Sequence, residues 1–497
     1  MLGLRLCRAV LFAVFLLGIF AAWREIFRLR IPSNTQGMRC KICLLMCFSL
    51  GIFSSATGIS AAQEGGSTVA LIGARLIDGS GEAPLENAAL VIQGETLIAV
   101  GPAASVKFPG GTAVIDCHGQ TIIPGLISDH SHVGLVDGVS VKPENYNRQN
   151  ILRQLRQYEA YGVTSVTALG FNGSLFYELR EEQHAAKSPG ADLFGAFRGI
   201  GAPLGAPPAA MIPVTADQLY RPETPEEART AVREIVAGHS DLVKIWVDDL
   251  LGTSPRMKPE IYTAVIDEAH RAGVRVAAHI YYLQDTKAVV RAGVDIIAHG
   301  VRDQPVDAEF IDEMKTHAVW YVATINLDEC SYIFAEQPTW TKEPFFQNAL
   351  QPALKAQLSD PAYIEKTLKS PRVPIFKKAV ATNEANVKAL YDAGVKVAFG
   401  TDSGAIPPRI PGFAEHRELQ LMVASGLTPL QAINCATSRA AALLGLSDRG
   451  TIAPGKLADF VVLTANPLDD ITNTEKIAAV WHRGKKVAGA VGDFHAE

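Results

Sequence analysis

One junction recurs along this chain and restricts its fold more than any other feature: a helical pattern, then a glycine, then an apolar run. It reads YGV at 161–163 and AGV at 272–274, 292–294 and 393–395. Gly162, Gly273, Gly293 and Gly394 each fit the position after a helix, where a left-handed residue turns the chain into the next strand. Apolar runs alternate with helical patterns at 122–128, 163–169, 191–197, 241–247, 274–280, 294–300, 319–325 and 395–402. A repeated helix–glycine–strand unit implies a parallel sheet. Eight of them over about 320 residues imply an α/β fold of the (β/α)8 TIM-barrel class. An open doubly wound sheet would carry GxGxxG after its first strand, and that motif is missing there.

The segments flanking this region have a different texture. TVALIGARLIDG, AALVIQGETLIAVG and GTAVIDCHGQTII near the start, with GTIAPGKLADFVVLT and IAAVWHRGKKVAG near the end, alternate apolar and polar positions and break at Gly, Asn and Pro. They read as antiparallel strands. The expected organisation is a barrel over 121–449 and a small composite β-sandwich assembled from 63–120 and 450–497. Residues 1–62 stand apart. Met38 begins a unit with Arg39 and Lys41, an apolar stretch from Ile42 to Phe53, and the small-residue end Ser60-Ala61-Ala62. That is the anatomy of a secretory signal peptide over 38–62, preceded by an upstream extension. The alternative is a short membrane anchor at 9–23. Export to the periplasm or beyond is the expectation, with membrane contact confined to this targeting segment.

The 497 residues carry a net charge of −5 and no basic stripe, which argues against a nucleic-acid partner. Cys7, Cys40, Cys43 and Cys47 precede residue 60, leaving Cys117, Cys330 and Cys435 in the body. Their spacing supports neither a disulfide framework nor a thiolate metal site. Oligomeric state is not legible here, and a homo-oligomer is compatible with the sequence.

In a barrel of this class the active site lies at the C-terminal ends of the strands. His130 and His132, in LISDHSHVG, are two residues apart at the end of the first run and so share one face of a strand. Lys244 is embedded in the fourth run, LVKIWV, where an unpaired ammonium is costly to bury. His279 ends the fifth, His299 the sixth, and Asp402 ends the eighth within AFGTDSG. A lone strand-end histidine is usually structural, and an aspartate before Ser-Gly usually starts a turn. Five of eight strands delivering such groups to one end points instead to a single site. Imidazoles plus a carboxylate suit a divalent metal such as Zn²⁺, with an open position for water.

The motifs HSH, VKIW, AAHIY, IAHG and GTDSG, in that order, resemble the amidohydrolase superfamily, and RAGVDIIAHG after the fifth-strand histidine resembles its imidazolonepropionase and prolidase-like branch. The resemblance implies that Lys244 carries a carbamate bridging two metals, with His130, His132 and Asp402 on one and His279 and His299 on the other. It implies attack of a metal-activated hydroxide on a carbon–nitrogen (amide or peptide) bond, with Asp402 as the proton-transferring catalytic residue. The implied substrate is a small molecule, a dipeptide or an N-acyl amino acid. A mononuclear hydrolase of cyclic amides or lactones is the alternative, followed by a metal-holding binding protein without turnover. Many members place Asp where Ser128 stands, and Asp129 is expected to face away from His130.

Tyr281, Tyr282, Arg198 and Arg302 are candidates for substrate contact, the arginines for a carboxylate. His416, near Glu418 on a helix after the eighth strand, is a candidate to reach back to the site. The segments 198–225 and 326–372 are long enough to be lids. The second holds Tyr332, Phe334, Trp340, Phe345 and Phe346, so an apolar, aromatic pocket is expected.

Overall fold

A computed structural model describes residues 68–489 and 495–496; the expected signal peptide at 38–62 and the segment 9–23 lie outside the described residues. Eight parallel strands form the barrel: Leu126–Ser131, Val163–Leu169, Asp192–Ile200, Leu242–Trp246, Arg275–His279, Ile296–Ile297, Trp320–Val322 and Lys396–Ala398. Neighbours in sequence are neighbours in the sheet, and the ring is closed where Ser131 bridges Ser403 and His130 O accepts from the amides of Thr401 and Asp402. The junction glycines behave as the sequence requires. Gly162, Gly273, Gly293 and Gly394 have φ of 77°, 72°, 98° and 80°, conformations that a Cβ would strain.

Two cores hold the barrel. Inside it, Leu169, Ala196, Leu242, Ala277, Ile296, Ala298, Val322 and Ala398 form a compact plug of mostly small side chains. Outside, the strands' other faces pack against the helices in a much larger cluster. Pro225–Ala237 is typical of those helices. Its N-cap Thr224 accepts from Glu227 N, Pro225 occupies the first turn, and Ala228, Ala231, Val232 and Ile235 form the buried stripe. Truncating such a fully buried Val or Ile to Ala would cost about 2–4 kcal/mol.

The second domain is one mixed sheet built from both flanking segments. Its strand order is Lys485–Ala488, Ile477–His482, Phe460–Leu463, Thr121–Pro124, Thr68–Leu76, Leu85–Gln93 and Thr96–Pro102, with Ala113–Asp116 also paired to Thr68–Leu76. This moves a boundary. The run expected as the first barrel strand, 122–128, is two strands: Thr121–Pro124 pairs antiparallel with Phe460–Leu463, and the barrel begins only at Leu126. Gly125 separates them because a Cβ there would lie 2.3 Å from Thr164 Oγ1. The two domains meet over a buried ionic cluster. Arg449 and Arg483 both reach Asp192 Oδ2, at 2.5 and 2.8 Å, while His482 Nδ1 lies 2.7 Å from Glu159 Oε1.

Both long segments build walls at the strand ends. The stretch after the third barrel strand carries Ala206, Pro207, Pro208, Met211 and Ile212 to the cavity, and 326–372, rich in short helices, carries Leu327, Asp328, Ser331 and Arg372. The five aromatics expected to line the pocket from 326–372 do not. Phe334, Trp340, Phe345 and Phe346 pack around Phe413, and Tyr332 sits on the core beneath Lys377.

Candidate metal centre

His130, His132 and Asp402 converge because the first and eighth strands are adjacent in the closed ring. His130 Nε2 and His132 Nε2 lie 3.2 and 2.9 Å from Asp402 Oδ1, and ligand atoms of all three fall within 4.8 Å of one another. Asp402 has φ of 61°, an unusual backbone for a non-glycine residue and one that concentrates at functional sites. Beneath these strand ends, buried Glu415 accepts from Ser128 Oγ at 3.1 Å and from Thr401 Oγ1 and Ser403 Oγ, both at 2.7 Å. Ser128 therefore helps to fasten the first strand to the eighth. The pairing slips between Ser128 and Ser131, so strict alternation fails. Asp129 is buried with both carboxylate oxygens unpartnered, and the charge acting on it is Arg275, which shares a strand face with Ala277 and His279.

The remaining predicted ligands surround this trio. The His299 ring lies 4.4 Å from both the His130 and the His279 rings, centroid to centroid. His299 Nδ1 pairs with Thr324 Oγ1 at 2.9 Å. Lys244 is wholly buried, its Nζ has no hydrogen-bond partner among the described residues, and Trp246 lies beside it at 5.4 Å. Burial pushes Lys244 down to about 7, against the attraction of Asp402 and Asp248. His130 is pushed down to about 3, first by burial and then by Lys244. Burial opposes the charge on Asp402, yet Arg409 and the neighbouring His130 and His132 rings outweigh it and hold the carboxyl well below the usual range.

These groups fit a bound cation for a specific reason. The His130 Nδ1–H donates to Ala298 O at 2.5 Å, a carbonyl that only accepts. A neutral His130 therefore presents an unprotonated Nε2 to a carboxylate oxygen 3.2 Å away, two acceptors with no hydrogen between them. A divalent ion reconciles that contact. His132 Nδ1 and His279 Nε2 are likewise buried without hydrogen-bond partners.

Sequence reasoning missed three residues here. Asp248, two positions beyond the fourth strand, approaches His279 Nε2 at 3.3 Å without hydrogen-bond geometry, and the strand-end rule that found Lys244 would have found it. Arg409 binds Asp402 Oδ2 from a turn that has no positional signature. Asp328 pairs with Arg302 at 3.3 Å.

The substrate candidates divide. Tyr281 and Arg302 line a cavity of about 370 Å³ opening from the metal centre, the guanidinium 4.9 Å over the Tyr281 ring. Tyr282 does not line it: its hydroxyl donates to Asp249 at 3.0 Å and its ring carries Arg256. Arg198 is also elsewhere. It lies within the third strand, stacked 3.5 Å over Tyr220 and 3.7 Å from Glu234, because strand-end position does not dictate which way a side chain leaves. Nor does His416 reach the site, since its two nitrogens pair with Thr474 Oγ1 and Tyr161 O. Glu418 instead accepts from the amides of Ile325 and Asn326, fixing the start of the second long segment. Phe171, Trp246, Ile212, Leu250 and Phe376 give the cavity its apolar walls.

Comparison with known proteins agrees with this geometry. An ochratoxinase of Aspergillus niger is 25% identical over 462 residues, covering 83% of this chain and 85% of the relative. An imidazolonepropionase of Deinococcus radiodurans is 25% identical over 418 residues, covering 81% and 92%. Among solved structures, a Xaa-Pro dipeptidase with bound methionine in its active site superposes with a TM-score of 0.67 at 25% identity, covering 84% of this chain and 99% of that one. The family description that matches residues 121–487 is that of the amidohydrolases. This chain belongs to the amidohydrolase family.

Proposed function

We propose that this enzyme of carbon–nitrogen bond hydrolysis cleaves the amide bond of an N-acyl amino acid or dipeptide with apolar groups. One or two divalent ions, zinc in the first instance, would be held by His130, His132, Lys244, His279, His299 and Asp402. The observation that carries this reading is the pair of facing acceptors, His130 Nε2 and Asp402 Oδ1, beside a buried and unpartnered Lys244. A bound divalent ion supplies Lewis-acid polarisation of the carbonyl and acidifies a water.

The protein's own groups do the rest. Asp402, with Oδ1 facing His130 and His132 and Oδ2 bound by Arg409, takes a proton from the attacking water and returns it to the leaving nitrogen. Arg409 keeps that carboxylate ionised and oriented. Arg302, from its seat on Tyr281, receives the carboxylate of the substrate. Phe171, Trp246 and Phe376 exclude water and hold the apolar part. With a pKa pushed towards neutrality, a fraction of Lys244 is a free amine, the form that condenses with CO₂ to a carbamate and a proton. A mononuclear site rests on a separate observation, that among the described residues the imidazole and carboxylate groups drawn within 4.8 Å of one another are those of His130, His132 and Asp402. The protein is exported, with 38–62 removed.

The test is metal analysis of purified protein together with hydrolysis of a panel of N-acyl amino acids and dipeptides. Asp402→Asn is expected to lower kcat by about 10²–10⁴ while retaining most of the metal. Failure to hold any metal after zinc is resupplied would overturn the reading.

A further inference from the structure

The cavity at the metal centre is lined by apolar side chains that the fold itself leaves unused. Met211 and Ile375 line it while remaining 45% and 42% exposed. They come from different places: Met211 from the segment after the third barrel strand, Ile375 from the first turn of the helix Val373–Asp392. Their chain neighbours pack conventionally. Ile212 is buried against Phe171 and Trp246, and Phe376 rests on the main core. Neither Met211 nor Ile375 joins any hydrophobic cluster of the fold. Leu204, in the same proline-rich segment as Met211, is 88% exposed. Exposed apolar residues continuous with an apolar pocket mark a binding surface rather than a surplus of core.

We infer that Met211 and Ile375 form a landing for an extended apolar tail of the substrate, so that the preferred substrates are amino acids N-acylated with long-chain acids. This inference rests on the amide-hydrolase reading above. With the amino-acid carboxylate at Arg302 and the scissile carbonyl at the metal centre, the acyl chain runs past Phe171, Trp246 and Phe376 to the mouth. A short acyl group stops among the buried residues. A long one covers Met211 and Ile375 and removes their surface from water.

The experiment measures kcat/KM for N-acylglycines from acetyl to decanoyl with the metal-loaded enzyme. Burial of each added methylene is expected to raise kcat/KM about two- to fourfold until the chain passes the mouth. Met211→Asp and Ile375→Asp should each flatten the upper part of that slope. Leu368→Asp, on an exposed helix end that does not line the cavity, should leave it intact. The ratio of decanoyl to acetyl rates is independent of how much of a variant is correctly folded. Hydrolysis of acetylglycine with a flat wild-type series would overturn the landing and leave the amide reading standing. A steep series unchanged in both variants would overturn the assignment to these residues. No hydrolysis of any N-acyl amino acid or dipeptide would overturn the parent reading as well.

Discussion

Replacing His482 tests the ionic cluster between the two domains, and its outcome depends on pH in a calculable way. Burial disfavours a charged His482, but Asp192 and Glu159, with Asp459 behind them, reverse that and raise it from 6.5 to about 10. The groups facing it also include the cations Arg449 and Arg483, both held on Asp192. A rise of about 3.5 units, at about 1.4 kcal/mol per unit, sets a ceiling of about 5 kcal/mol for the stabilisation due to protonation. Because the folded value is the higher one, that stabilisation is complete below pH 6.5 and is lost as pH rises towards 10. His482→Gln, which cannot take up the proton, should therefore be several kcal/mol less stable than wild type at pH 6. The gap should shrink by roughly 1.4 kcal/mol per pH unit above 6.5. Urea unfolding of both proteins at pH 6, 7.5 and 9, with equal metal loading, reads it directly. Other titrating groups largely cancel in the difference. A gap that stays constant from pH 6 to 9 would refute the argument, and the contact would then be one of shape rather than charge.

Three further outcomes follow from the site. Lys244→Met replaces a buried amine by an apolar chain of similar length, so the metal-free protein should be as stable as wild type or more so, while bound metal falls; unchanged metal content would exclude Lys244 as a ligand. Arg302→Met should raise KM about 10- to 100-fold for substrates with a free carboxylate and leave their amidated counterparts unaffected, which steady-state kinetics would separate. In Gly199→Ala the added Cβ would lie 1.8 Å from Trp246 Cζ3. The indole must shift, at a cost of about 1–3 kcal/mol, and a changed tryptophan emission with weaker substrate binding is the expected readout.

The barrel was legible because its signals are local. A left-handed glycine after four of the helices can be read from neighbouring residues, and so can a strand that ends in histidine. Gly162, Gly273, Gly293 and Gly394, with His130, His132, His279, His299 and Asp402, belong to this kind. What escaped depends on distant partners. Thr121–Pro124 looks continuous with the first barrel strand until Phe460–Leu463 claims it. Arg198 ends up on Tyr220 and His416 on Tyr161, since an apolar flank says nothing about which neighbour a polar side chain will find. Arg409 reaches Asp402 only through the shape of the intervening turn. The aromatics of 326–372 were read as pocket walls, but a helical segment that packs its own hydrophobic residues needs them on its inner side.

The mixed sheet also sets an order of events. Its central pairing joins Pro124 to Phe460, so strands made early must wait for one made several hundred residues later. Until then Thr121–Pro124, already able to pair with Thr68–Leu76 on one side, lacks its antiparallel neighbour on the other. The barrel's first strand hangs directly from that waiting segment through Gly125. The ring therefore cannot be fully anchored until Phe460–Leu463 has emerged, and a chain stopped short of Phe460 would be left with an open edge and the tendency of such edges to recruit other chains.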